Sequence, residues 1–155
     1  TVQLDFHMPE AFDLKFVQND GNFGRPVMIH RAILGSFERY IGILIEHYQG
    51  AFPFWLSPVQ VALLPIADKH NVYAREVLNK LTEHGIRAEL DDRSERLQAK
   101  IRDATLQKIP YLGIIGDKEI EKNSISLRTR EGKDLGNLDL SHFLQKVKEE
   151  IDKKV

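Results

Sequence analysis

The feature that most constrains the fold is an apolar run followed by one amphipathic helix and a second apolar run. Residues 59–65 have the composition of a buried strand, and residues 86–90 that of another. Between them, residues 71–84 place Ala74, Val77, Leu78 and Leu81 on one helical face, and Gly85 stands at the helix C-terminus. Two strands joined by a helix predict a parallel pair with a right-handed crossover.

The pattern continues to the end of the chain. Asp92 followed by Glu95 is typical of a capping box, so we expect a helix from about there to Lys108, ended by Pro110. A strand is predicted at 111–116, a turn at 116–119, a half-exposed strand near 124–129 and a terminal helix from about residue 140 to 151. The order β-α-β-α-β-β-α predicts an α/β domain with a mixed, mainly parallel sheet flanked by helices.

The preceding residues form a smaller region. Alternating polar and apolar residues predict a strand from Thr1, a second strand over 26–33 and a helix from about Ser36 to His47. Residues 50–58 contain two prolines and four large apolar residues, which indicates a packed connector. We therefore place a domain boundary between 1–52 and 53–155. Because the chain begins inside a strand, we expect it to be a piece of a longer protein.

Two residues of the first region have side chains suited to chemistry. His30 shares a strand face with apolar residues; it can be a hydrogen-bonded core histidine or a metal ligand, and no HExxH or CxxC motif accompanies it. Arg39 lies near a helix N-terminus, where an anion is favoured, so it is either a phosphate ligand or an exposed arginine paired with Glu38. These residues alone leave both alternatives open.

The sequence around these residues resembles that of a known family. Residues 28–39, MIHRAILGSFER, look like motif 3 of class II aminoacyl-tRNA synthetases and closely resemble the threonyl-tRNA synthetase family. The similarity continues at 41–48, 50–60, 116–119 and 128–136, and covers essentially all 155 residues. It implies the end of the antiparallel catalytic sheet with the motif 3 helix in residues 1–52, and an anticodon-binding domain in residues 53–155.

The resemblance implies several residue roles in the synthetase active site. Arg39 corresponds to the motif 3 arginine that binds the phosphates of ATP, supplied with Mg2+, and His30 to one of three ligands of a Zn2+ ion that recognises threonine. Thr1, Gln3 and Ser36 fall at substrate- or ATP-binding positions. The other zinc ligands, motif 2 and the dimer-forming motif 1 lie upstream of Thr1 in the family. We therefore expect the homodimeric full enzyme to form a threonyl adenylate and the isolated chain to be inactive.

The resemblance also implies an anticodon site for threonine tRNA. Its residues fall on Arg93, Ser94, Glu119 and Arg128. Ser94 replaces an asparagine common in the family, so its base contact is either absent or mediated by water. Residues 93–133 carry ten Lys and Arg against six Asp and Glu, with Arg93, Arg96 and Lys100 near one helix start and Arg128 and Arg130 on one strand. A salt-bridged surface would show the same excess.

Composition narrows the class of protein. The chain has no cysteine, and no apolar run approaches the ~20 residues of a membrane span, so we expect a soluble cytoplasmic protein. Two alternatives remain open. One is a non-catalytic RNA-binding accessory module, against which His30 and Arg39 argue, and the other is a sister enzyme such as prolyl-tRNA synthetase, which shares the second domain.

Overall fold

The computed structural model describes residues 1–154, and it divides the chain into two compact units. The first unit is Thr1–Glu46 and the second begins at His47. Within residues 1–154, no helix is both long and apolar enough to cross a membrane.

The first unit contains two small antiparallel sheets. Strand β1 (Val2–Asp5) pairs with β4 (Met28–Arg31), and the intervening chain forms helix α1 (His7–Ala11) and a hairpin of β2 (Phe16–Val17) and β3 (Phe23–Gly24). The register places Gln3 opposite His30. Helix α2 (Phe37–Tyr48) follows, with the hydroxyl of Ser36 accepting the backbone N–H of Arg39 at 3.3 Å. The two strands and the helix predicted for this region are therefore present.

The second unit is a five-stranded sheet with helices on both faces. A short 3-10 helix (Phe54–Leu56) leads into the sheet, whose strand order is β6-β5-β7-β8-β9. Strand β5 pairs in parallel with β6 and β7, whereas β7–β8 and β8–β9 are antiparallel. The mixed α/β sheet predicted from the sequence is confirmed. The elements are β5 (Val61–Pro65), α3 (Asn71–Glu83), β6 (Ala88–Leu90), α4 (Leu97–Leu106), β7 (Tyr111–Ile115), α5 (Asp117–Glu121), β8 (Ser124–Thr129), β9 (Asp134–Asp139) and α6 (Leu140–Lys153).

Apolar side chains on the two faces of this sheet form two cores. Every residue of β5 is buried, which explains why its sequence is continuously apolar rather than alternating. The larger core joins one face of the sheet to α3 and α6 and includes Leu63, Val77 and Phe143. The smaller core joins the other face to α4 and includes Leu64, Ala104 and Leu112. Helix α4 makes close contacts with β5. Further along the sheet, Ser126 and Arg128 of β8 are partly exposed and Asn137 of β9 is exposed, and we call this side of the two strands the open face.

A buried amide fixes the connector that precedes β5. Gln60 is almost fully buried; its Nε2 donates to the Phe54 carbonyl at 2.9 Å, and its Oε1 accepts the Arg87 N–H at 2.9 Å. The Arg87 guanidinium donates to the carbonyls of Trp55 and Ser57. These bonds satisfy polar groups that would otherwise be buried without partners, so the connector is packed as predicted.

Three details of the second unit differ from the sequence prediction. Helix α4 begins at Leu97, not near Asp92, because Asp91 accepts the N–H of Arg93 and Asp92 pairs with Arg75 instead of capping a helix. The turn predicted at 116–119 continues into the short helix α5. Strand β9 was not predicted, since a bulge interrupts its alternation of apolar and polar residues.

Candidate functional site

The first unit brings together the predicted polar residues of its antiparallel strands. Residues directly opposite each other in such a pair project from the same face, so Gln3 and His30 are neighbours. Thr1 lies on that face two residues earlier, and its carbonyl accepts the N–H of Ala32 at 3.1 Å. Asp5 lies two residues later on the same face.

Asp5 holds the ring of His30. Its Oδ2 lies 2.9 Å from His30 Nε2, while its Oδ1 accepts the N–H groups of His7 and Met8 at 2.8 and 2.9 Å. The Met8 bond, with those to His30 and His7, lowers the pKa of Asp5. A carboxylate on one ring nitrogen leaves the other free for a metal, as is usual around metal-binding histidines. Within residues 1–154, no group of three or more His, Cys, Asp or Glu could hold a metal ion. His30, with Asp5 on one ring nitrogen, is therefore a single candidate metal ligand.

Ser36 and Arg39 lie together at the start of α2. The Ser36 hydroxyl accepts the Arg39 N–H, and the Arg39 side chain passes Gly35, whose positive φ of 80° favours glycine. The guanidinium is exposed and has no hydrogen bond or ion pair with any residue in the described part of the chain. Its donors are thus available at the positive end of a helix, which is the arrangement that favours an anion.

The second unit has a polar surface where the parallel strands end. Strands β6, β5 and β7 lie side by side, and their C-terminal ends lead into residues 91–96, 66–70 and 116–119. We call these three segments, together with Asn137, the recognition edge. In open α/β sheets, ligands bind outside the carboxyl ends of the strands.

Side-chain hydrogen bonds link the segments of the recognition edge in sequence. Ser94 Oγ donates to Asp68 Oδ1 at 3.3 Å, which joins the loops after β6 and β5. His70 Nε2 lies 3.2 Å from Asp117 Oδ1, which joins the loop after β5 to α5. The 2.6 Å ion pair with Lys69, and after it the contact with His70, lower the pKa of Asp117. The edge therefore consists of fixed groups of both charges rather than a basic patch.

Arg93 is held between two carboxylates. Its guanidinium forms a bidentate pair with Asp91, at 2.9 and 2.7 Å, and a further bond to Asp103 at 3.1 Å. The pair lowers the pKa of Asp91 and raises that of Arg93. More than half of the Arg93 side chain remains exposed, beside an open depression of about 480 Å3 with an apolar floor of Ala62, Leu64 and Leu90. Arg93 is therefore oriented before any ligand arrives.

Glu119 is fixed from two sides. Its Oε2 accepts the N–H of Gly116 at 2.9 Å, and its Oε1 accepts Nδ2–H of Asn137 at 3.1 Å. A carboxylate has about four lone pairs, so each oxygen can accept one more hydrogen bond. The partly exposed carboxylate thus presents two oriented acceptors.

Arg128 lies elsewhere on the same sheet. It is partly exposed on β8, opposite Leu112, and its Nη2 is 3.5 Å from the position that a Cβ on Gly132 would occupy. Its side chain is therefore directed towards the β8–β9 turn. Asn137, the partner of Glu119, lies opposite Ser126, two residues or about 7 Å along β8 from Arg128. Among residues 1–154, no hydrogen bond or ion pair joins Arg128 to Glu119.

Two cations of the predicted basic cluster have structural roles instead. Lys100 is buried, and its Nζ donates to the carbonyls of Pro65 and Asp91 at 3.1 and 3.0 Å. Arg130 follows the end of β8 and donates to the carbonyls of Phe52 and Lys108. Neither residue adds to an exposed basic surface, because Lys100 is buried and the Arg130 guanidinium is bound to two backbone carbonyls.

Asn137 is one of the recognition-edge residues that the sequence did not predict, as are Asp68, His70 and Asp117. It lies on β9, the strand that was missed, directly after Gly136. The sequence feature that could have predicted β9 is the pair of glycines Gly132 and Gly136, because their spacing is typical of a turn followed by a bulge.

The fold of the second unit matches a known class of protein. Residues 60–150 match the family model described as the anticodon binding domain. The RNA-binding domain of threonyl-tRNA synthetase from Cryptosporidium parvum Iowa II superposes with a TM-score of 0.77 at 35% identity, covering 96% of this chain and 38% of that one. Prolyl-tRNA synthetase from the same genus and species has a TM-score of 0.65, with coverage of 94% and 31%, but at 20% identity it shows the fold alone. The chain belongs to the anticodon binding domain family.

Curated relatives then distinguish among the synthetases. Threonine–tRNA ligase from Caldanaerobacter subterraneus subsp. tengcongensis is 56% identical over 97% of this chain, and that from Aquifex aeolicus is 53% identical over 99%. The resemblance to threonyl-tRNA synthetase is thus confirmed along the chain, at the C-terminal part of those proteins. The chain spans about a quarter of their length, 23% and 24% respectively.

Proposed function

We propose that this chain recognises the anticodon loop of a threonine tRNA as part of a threonine–tRNA ligase. The observation that carries the proposal is the carboxylate of Glu119, which is held by Gly116 and Asn137 with two acceptors free. Guanine presents two adjacent donors, N1–H and the 2-amino group, on its Watson–Crick edge. Anticodon loops expose such edges because their bases are unstacked.

The other predicted anticodon residues contribute different contacts. Arg93 and Ser94 belong to the loop after β6, where the guanidinium of Arg93 can meet a base acceptor, a phosphate or a base face. Arg128 lies two residues along β8 from the position opposite Asn137, and its guanidinium can bind another base acceptor or a phosphate. Bulk charge contributes little, since residues 53–155 hold 18 Lys and Arg against 17 Asp and Glu. We infer that the anticodon bases are recognised by individual polar side chains held in fixed orientations.

A binding measurement tests this function. Threonine codons have the form ACN, so a stem-loop with the anticodon UGU carries its only anticodon guanine in the middle. We expect the 155-residue chain to bind this stem-loop, and Glu119→Gln to weaken binding about tenfold or more, because hydrogen bonds to a charged acceptor are strong. Fluorescence anisotropy with a labelled stem-loop gives the dissociation constants.

Glu121 provides a matched control for Glu119. It lies on the same helix and is exposed, so Glu121→Gln removes the same charge without removing the held acceptors. Equal losses for both variants would assign the effect to charge and contradict base recognition. A stem-loop with the proline anticodon UGG separates the threonine enzyme from its prolyl relative, and tighter binding of UGG than of UGU would contradict the threonine assignment.

In the full homodimeric enzyme, we assign residues 1–52 to one edge of the aminoacylation site. Arg39, presented by Ser36 at the start of α2, binds the phosphates of ATP, which enters with Mg2+. His30, oriented by Asp5, is one ligand of a zinc ion, while Thr1 and Gln3 line the substrate pocket on the same strand face. Zinc, when bound, recognises the amino and hydroxyl groups of threonine, and a site built for the hydroxyl rejects valine. We place the enzyme in the cytoplasm.

The isolated chain is expected to be inactive in amino-acid activation. It supplies one arginine and one candidate zinc ligand, and the remaining groups belong to upstream sequence in the family. Pyrophosphate exchange measured with ATP and threonine should therefore not exceed the rate without threonine. Threonine-dependent exchange by the 155-residue chain would show that this division of the active site is wrong.

A further inference from the structure

The open face of β9 depends on a bulge at Gly136. Ser126 pairs with Asn137 and Leu127 with Gly136, whereas Arg128 pairs with Asp134, so β9 contains one extra residue here. Gly136 has a φ of +78°, a left-handed conformation that glycine adopts without strain.

The bulge determines the face from which Asn137 projects. Leu135 and Leu138 both pack against the larger core, although an odd separation of three residues would put them on opposite faces of a regular strand. The extra residue shifts the alternation of side chains by one position, so that Leu135 and Leu138 lie on the same face. Asn137, next to Leu138, therefore projects from the opposite, open face. The position of Ser126, the residue opposite Asn137, supports this placement. Its neighbours Ile125 and Leu127 are buried in the core, so Ser126 projects from the other face.

On that face, Asn137 meets Glu119 in a defined orientation. The contact of 3.1 Å joins Asn137 Nδ2 to Glu119 Oε1. An ionised carboxylate only accepts hydrogen bonds, so the amide nitrogen must face it and the amide oxygen must point away. One N–H of the amide remains free beside the two free acceptor positions of Glu119. Asn137 is exposed, so this N–H is accessible.

The combined pattern complements guanine. Glu119 offers two acceptors, which suit N1–H and the 2-amino group, and Asn137 offers a donor, which suits O6. Adenine would turn its N1 lone pair towards the carboxylate and its amino group towards the amide N–H. We propose that Asn137 is a further specificity-determining residue, which binds O6 of the anticodon guanine that Glu119 reads. This inference rests on the proposed function and extends it to a residue outside the predicted set.

A single-atom change in the RNA tests the contact. In a UGU stem-loop, 6-thioguanine keeps N1–H and the 2-amino group but replaces O6 by sulfur, which is a weaker acceptor. We expect the unmodified chain to bind the guanine loop roughly threefold more tightly than the 6-thioguanine loop, and Asn137→Ala to bind guanine roughly fivefold more weakly. The variant should no longer distinguish the two loops.

Asn79→Ala is the matched control, because Asn79 is an exposed asparagine on α3, outside the recognition edge. It should keep both the affinity and the preference for guanine. The inference is overturned if Asn137→Ala keeps the full preference for guanine over 6-thioguanine, since the amide would then only position Glu119. If the unmodified chain binds UGU loops no better than loops with another middle base, the proposed function fails first, and the two failures are thus distinguishable.

Discussion

Single charged residues of the recognition edge are oriented by partners in the same chain. Arg93 lies between Asp91 and Asp103, and Lys100 holds the carbonyls at the ends of β5 and β6. The family resemblance located Arg93 in the sequence, but it did not show these partners. The two carboxylates belong to different elements, so only the folded chain brings them to the same guanidinium.

The pair of Asp91 with Arg93 predicts a pH dependence of stability. Arg93 lowers the pKa of Asp91 in the folded state below its ordinary value of 3.8. The pair therefore stabilises the fold above about pH 4, and this contribution is lost as the pH falls through the lower folded value. We expect Asp91→Asn to reduce the free energy of unfolding by about 0.5–1 kcal/mol near neutral pH, because the partner is half exposed.

Urea unfolding of both proteins at several pH values checks this prediction. The difference between wild type and Asp91→Asn should be constant from about pH 8 to 5 and should shrink below about pH 4. In an Arg93→Gln background, the same substitution should show less of this pH dependence. A difference that stays constant down to about pH 2.5 would mean that Arg93 does not shift the pKa of Asp91.

Among the secondary-structure elements, those with regular periodicity were predicted and those with irregular backbone were not. Helices α2, α3 and α6 and strands β5 and β7 follow repeats of 3.6 or runs of buried apolar residues. Strand β9 breaks its alternation at the Gly136 bulge, and α4 starts late because Asp91 and Asp92 bind arginines. In the first unit, α1 and the hairpin of β2 and β3 were also missed. In the second unit, the missed strand β9 and the late start of α4 carry or adjoin the recognition edge, and Asn137 was missed with β9.

The Gly136 bulge gives a prediction at the scale of one strand. Both Gly136 and Gly85 have positive φ, 78° and 75°, and a Cβ on either would meet no atom within 4 Å. Alanine at either position should therefore lower the free energy of unfolding by a similar amount, about 1–2 kcal/mol from backbone strain. Only Gly136→Ala should also weaken binding of the UGU stem-loop, because only that residue sets the position of Asn137.

Thermal unfolding and anisotropy on the two glycine variants measure the two effects separately. If Gly85→Ala weakened RNA binding as much as Gly136→Ala, the loss would follow from general destabilisation. The specific role of the bulge would then be excluded.

For the whole molecule, the sequence predicts the family more directly than it predicts the strand register and the contacts between side chains. The pattern after residue 59 agrees with the family match over residues 60–150, and the sequence around His30 and Arg39 lies in a chain that matches threonine–tRNA ligase relatives over 97% of its length. The register that puts Gln3 opposite His30, and the contact between Glu119 and Asn137, depend on pairings between residues distant in sequence. Such pairings are specified by packing of the whole sheet, and no local pattern contains them.

The most direct test of the central claim is the affinity of the 155-residue chain for anticodon stem-loops that differ only in the middle base. A chain that reads guanine through Glu119 should bind a UGU loop at least about tenfold more tightly than a UAU loop, and Glu119→Gln should remove most of this difference. Equal affinities of the unmodified chain for the two loops would contradict the account.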